Sequence, residues 1–195
     1  PRASSDAGRL PQSVYVWQRA WGAPVRTAVV ERASAFAGVV VLATELAWTA
    51  DRLEHAVAAW DADALRAANT PIGLALRIGP CSRERMRRST TVEAIVEHAR
   101  RVVCEAESRG VEPSELQIDF DCATAALPDY AAWVRAIKRA VSPLPVTITV
   151  LPTWMRSDAF GPLVRETAGF VLQVHSVDKA RMEDPEPSLC DDRRA

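Results

Sequence analysis

Asp119 and Asp121, in the segment LQIDFDCAT, are the residues of this sequence best placed to do chemistry. On an extended strand they share one face, roughly 6.5–7 Å apart. Two carboxyl groups that close in a confined site push one pKa upward, which could supply an acid and a base for glycoside chemistry. Glu45 closes another apolar run and could be a further acid or base. His175 could be a general base or a metal ligand beside the aspartates. Each has a plainer reading. The aspartates could be a structural pair held by Arg77 or Arg19, Glu45 could be tied up in a salt bridge to the same arginines, and His175 could be a hydrogen-bonded core residue.

Aromatic and amide side chains widen the candidate set. There are 6 tryptophans, of which Trp17, Trp21, Trp48 and Trp154 fall on or just after apolar runs. Aromatic faces stack on sugar rings and leave the hydroxyls to polar partners such as Gln18, Gln173, Asp119 and Arg77. Trp21 and Trp154 are the expected sugar platforms; Arg19, Arg77, Gln173 and His175 are the expected positioning groups. Trp60 and Trp133 are expected to pack the interior. No HxH, HExxH or CxxC pattern occurs, so neither a metal site nor a cofactor is expected. His55 and His98 are placed on a surface loop and an outer helix. Cys104 is expected to be a buried thiol.

These residues need strands to carry them. Six short apolar runs occur: Val14 to Arg19, Gly38 to Glu45, Ile72 to Ile78, Leu116 to Asp121, Val146 to Leu151 and Phe170 to His175. Helical periodicity separates them, most clearly over Thr90 to Ser108 and Asp129 to Val141, and also over Pro24 to Ala35, Asp61 to Ala68 and Ser157 to Thr167. Thr90 and Glu93 make a capping-box pattern, and Gly110 lies just past the end of that helix. His55 to Trp60 reads as a loop or short strand. Alternating strands and helices predict βα units and a parallel sheet.

The phase of the strands selects among such folds. Leu116, Ile118 and Phe120 oppose Gln117, Asp119 and Asp121; Ile72, Leu74 and Leu76 oppose Gly73, Ala75 and Arg77. One face is large and apolar, the other small or polar. A doubly wound sheet is apolar on both faces, whereas a barrel has helices only outside and admits polar groups near its mouth. The fold expected is therefore α/β, a parallel (β/α) TIM-type barrel with its site at the strand carboxyl ends. At 195 residues and six strands it is expected to be truncated, since a full barrel takes about 250. Unpaired edges on such an open barrel would invite self-association.

Composition narrows the partners. The 24 basic and 25 acidic residues give a net charge of -1, with no footprint for nucleic acid. The longest apolar run, Ala37 to Ala43, is too short to span a bilayer. The opening PRASSDAGRLPQ, within residues 1–13, reads as a flexible leader, and its start at Pro1 fits a mature form whose export signal has been removed. Residues 14–177 form the expected barrel domain. The charged tail from Asp178 to Ala195 reads as the start of a further segment.

The motifs VYVWQRAW, LQIDFDCAT, LPTW and FVLQVHS, spread over residues 14 to 176, resemble the bacterial family of unknown function DUF3142. The resemblance implies a barrel fold, an exported, periplasmic or envelope location, and further strand motifs beyond this region. The segment IDFDCA is also similar to the DxDxE strand of chitinase-like glycoside hydrolases. There, two aspartates support a glutamate acid two positions later; that position here is Ala123, which cannot protonate a leaving group. Three readings stay open: a glycoside-hydrolase-like enzyme with Glu45, Asp119 and Asp121 as acid–base candidates, a non-catalytic glycan-binding module, and a metal-dependent phosphoesterase.

Overall fold

In the computed structural model, residues 10–50 and 52–174 are described. Strand β1 (Ser13–Val16) lies parallel to β2 (Gly38–Thr49), and β4 (Ile72–Ile78), β5 (Pro113–Phe120), β6 (Val146–Val150) and β7 (Gly169–Leu172) follow in parallel. Sheet order is β1-β2-β4-β5-β6-β7. The expected six parallel strands form a half-barrel. One strand was only half foreseen: β3 (Arg52–Val57) turns back antiparallel on the far part of β2, pairing Leu46 with His55. It takes over the edge of β2 where β1 has ended, so hydrogen bonding along that edge continues.

The helices are α1 (Ala23–Arg32), α2 (Ala62–Ala67), α3 (Arg83–Met86), α4 (Ser89–Ser108), α5 (Leu127–Val141) and α6 (Phe160–Arg165). The first has a proline in its first turn, and α2 is capped by Asp61, whose carboxylate accepts from Ala64 N at 2.9 Å. The capping box predicted for α4 does not form. The helix starts one residue earlier, with Arg88 at the N-cap and no side-chain cap, which places Thr90 inside the first turn. Its other end is as expected. Gly110 takes φ +71, and Val111 N and Gly110 N bond Ala106 O and Glu107 O, the two bonds of a Schellman stop. The final predicted helix is shortened to α6, preceded by a 3-10 turn over Pro152–Arg156.

The apolar strand faces meet the helices. Leu74, Leu76, Leu116, Ile118 and Ile148 are fully buried there. Phe120 stacks on Trp133 with centroids 5.1 Å apart and meets the edge of Tyr130 at 5.2 Å. Trp133 donates its indole N–H to Met86 O at 2.8 Å, so its polar atom is satisfied inside the core. Burying each such side chain contributes about 1.5–3 kcal/mol. Cys104 departs from expectation: it faces solvent, while Cys122 is buried.

The polar faces line the hollow of the half-barrel. A bulge in β2 sets their alignment. Leu42 pairs with Ala75 and Thr44 with Leu76, so Ala43 is an extra residue in the ladder. Beyond it Glu45 aligns with Arg77, and Arg77 with Asp119. Among the described residues no helix is long and apolar enough to cross a membrane.

Candidate functional site at the strand carboxyl ends

A row of alternating charge crosses three neighbouring strands. Glu45, Arg77 and Asp119 stand side by side on the inner face, at roughly 4.8 Å strand spacing. Arg77 Nε lies 3.9 Å from Glu45 Oε1 and 3.8 Å from Asp119 Oδ2. Arg19 also pairs with Glu45 through its Nε, and that hydrogen bond raises the arginine's already high pKa. Glu45 thus sits between two guanidiniums, and its plainer reading as an ion-paired residue has geometric support.

The two aspartates differ in surroundings. Asp119 accepts from Thr149 Oγ1 at 2.7 Å, and Gln173 Nε2 lies 3.5 Å from the same oxygen. Asp121, just past the end of β5, is exposed, and its Oδ1 accepts from Gln173 Nε2 at 3.1 Å. One amide therefore spans both carboxylates from the far side of β6.

Aromatic residues close the other side of the hollow. Tyr15 reaches from β1 to β5 and donates its hydroxyl to Gln117 Oε1 at 2.8 Å. Burial raises the Tyr15 pKa; the Gln117 bond opposes this, and the Glu115 and Asp119 charges add to it. Tyr15 therefore stays a neutral donor at ordinary pH. Trp17 sits edge-on to Tyr15 at 5.7 Å, with the Arg77 guanidinium 6.0 Å from its ring centre. Tyr15, Trp17, Arg77, Asp119, Asp121, Thr149 and Gln173 line one cleft of about 590 Å³.

Of the residues expected at the site, the structure brings Arg19, Glu45, Arg77, Asp119, Asp121 and Gln173 together at one end of the sheet. Two placements are corrected. Trp154 is fully buried, donating its indole N–H to Cys122 O at 3.0 Å and packing edge-on to Tyr130 at 6.0 Å. Trp21 is also buried, in the cluster that contains Val29, Ala58 and Trp60, and its indole nitrogen finds no partner among the described residues. Neither offers a face to a sugar. His175 lies outside the described residues. Tyr15 and Thr149 were missed, although strand phase marks both as inward: Tyr15 alternates with Val14 and Val16, and Thr149 with Ile148 and Val150.

Comparison with known proteins bears on this cleft. The domain of unknown function DUF3142 matches residues 85–195. The chain belongs to this family. The match takes in β5 and β6, and with them Asp119, Asp121 and Thr149. A search of curated proteins finds no match. Among solved structures, this DUF3142 chain is similar to the spore cortex-lytic enzyme SleL of Bacillus cereus, with TM-score 0.61, 16% identity, and 85% of this chain and 41% of that one covered. The SleL of Bacillus megaterium gives TM-score 0.66 and 11% identity over 88% of this chain and 43% of that one. A chitinase from Rhizomucor miehei gives 0.60 and 12% over 85% and 57%. At such identities the likeness shows the fold alone. This DUF3142 chain spans less than half the length of either SleL.

Proposed function

We propose that this chain recognises a bacterial glycan in the cleft at the strand carboxyl ends. The observation that carries this is the convergence of Tyr15 and Trp17 with Asp119, Asp121, Thr149, Gln173 and Arg77 around one cleft. Sugars bind through apolar ring faces on aromatics and hydroxyls on carboxylates and amides, and this lining offers both. In support, proteins that share the fold include, by name, a spore cortex-lytic enzyme and a chitinase. An exported, periplasmic or envelope location goes with this reading.

Binding is preferred to cleavage on one ground. Ala123 stands where the chitinase-like pattern has its acid. The second reading is a glycoside hydrolase in which Asp121 and Asp119, with Glu45, share the acid and base roles. It is favoured by the exposure of Asp121 towards the cleft. The phosphoesterase reading is less favoured, because Gln173, Thr149 and Arg77 already engage the aspartates.

The test is thermal-shift titration with chitin oligosaccharides and cell-wall or exopolysaccharide fragments, with products followed by mass spectrometry. Stabilisation without products supports recognition, and stabilisation with products supports the hydrolase. A folded protein that responds to none of them overturns both.

A further inference from the structure

The imidazoles of His55 and His98 lie next to each other on the outer side of the sheet, away from the cleft. His55 is exposed on β3, and His98 is half-buried on α4. Their ring centroids are 4.9 Å apart, with 48° between the planes. Neither ring hydrogen-bonds to another described residue. Neutral imidazole nitrogens are the commonest side-chain ligands of transition metals.

The spacing can be checked against coordination geometry. Two imidazoles on one ion, each at a metal–nitrogen distance of ~2.0–2.1 Å, have their centroids roughly 4.5–5.2 Å apart as the angle at the metal opens from square-planar to tetrahedral. The observed separation lies inside that range. Rotation about χ2 exchanges the two edges of each ring, so either nitrogen can be presented.

We propose that His55 and His98 form a two-histidine site for a divalent transition metal, Zn2+ or Cu2+, whose remaining positions are filled by water. Metal ligation needs neutral imidazoles. Burial lowers the His98 pKa, the neighbouring His55 and the nearby Arg101 lower it further, and Glu97 opposes them. The ion joins two elements that are distant in sequence. His55 pairs with Leu46, next to Glu45, so the metal ties the β2–β3 hairpin, and with it one end of the charged row, to α4.

The full chain is titrated with Zn2+ alone by calorimetry near about pH 7.5 and again near about 5.5, below the ordinary imidazole pKa of about 6.5. One equivalent is expected to bind at the higher pH, and binding is expected to be lost at the lower. His55→Gln and His98→Gln should each weaken it by about tenfold or more, whereas His175→Gln should leave it unchanged. The Cu2+ form should show two imidazole nitrogens by electron paramagnetic resonance. His55 is exposed, so its variant folds and decides the matter if His98→Gln does not. Uptake that survives His55→Gln, uptake that disappears with His175→Gln, or no saturable uptake by the folded chain overturns the site. The outcome is independent of the glycan reading, since the cleft uses neither residue.

Discussion

Gln173, just past β7, donates a 3.1 Å hydrogen bond to Asp121, just past β5, across the end of the strand between them. An amide that orients a carboxylate from two strands away fixes the width of the cleft mouth. Gln173→Met keeps the side-chain bulk and removes the donor. Saccharide affinity is expected to fall about tenfold, the worth of one hydrogen bond to a charged group, with stability changed by less than about 0.5 kcal/mol. Calorimetric titration beside urea unfolding measures both. An unfolded variant would make the bond structural instead.

Trp154 and Trp17 should separate cleanly. Truncating the fully buried Trp154 to alanine is expected to cost about 3–5 kcal/mol in urea unfolding. Trp17→Ala should cost less than about 2 kcal/mol, because its ring is partly exposed, and should weaken saccharide binding. Equal loss of stability from both would remove Trp17 from the site.

The Arg77 guanidinium lies beside both Glu45 and Asp119, 3.9 and 3.8 Å away. Arg77→Gln leaves two mostly buried carboxylates without their shared cation. A loss of about 1–2 kcal/mol is expected at neutral pH, moderated because Arg19 still pairs with Glu45. Urea unfolding of this variant beside Arg19→Gln, which should cost less, tests the ranking.

Acid should weaken the Asp129 cluster. Burial alone would raise the Asp129 pKa, but hydrogen bonds from Arg83 at 2.6 Å and Arg87 at 3.0 Å outweigh it and hold the carboxyl low. A carboxylate with a depressed folded pKa adds stability above its unfolded value, near about 3.9, and loses it as pH falls through the folded value. Asp129→Asn should therefore be less stable than the parent at neutral pH, by at most about 1 kcal/mol, and indistinguishable from it in strong acid. A difference that persists in acid strong enough to protonate Asp129 in the folded protein would point to packing rather than charge.

Thiol reactivity should follow burial. Desolvation pushes Cys122 up to about 12 and Cys81 up to about 11, so both stay protonated at mildly alkaline pH. Cys104 is exposed. Iodoacetamide near about pH 8 should alkylate Cys104 well before Cys81 or Cys122, which should react only in denaturant. Peptide mapping reads the order.

The barrel was legible because its information is local. Leu116, Ile118 and Phe120 against Gln117, Asp119 and Asp121 state a two-residue period and name the buried face. The site was less legible, because its aromatic lining depends on where chain direction changes after each strand. Trp21 and Trp154 follow strand ends just as Trp17 does. The chain then turns into α1 and into the 3-10 turn at Pro152, and carries both rings into the core. The His55–His98 pair was invisible for another reason: its members are close only because β3 folds back onto β2, and no sequence spacing encodes that.

Ala43 shows how little separates this constellation from its absence. Alternation counted from Val40 and Leu42, both inward, would point Glu45 at the helices, and the extra residue reverses that. The bulge behaves as a frameshift in three dimensions. Deleting Ala43 would only smooth the ladder and keep Glu45 inward, but drawing this small, buried alanine into the pairing would leave every later side chain of β2 intact in identity and inverted in address. Glu45 would then press into the apolar layer where Leu46 now lies, and Arg77 would lose a carboxylate that no substitution had touched.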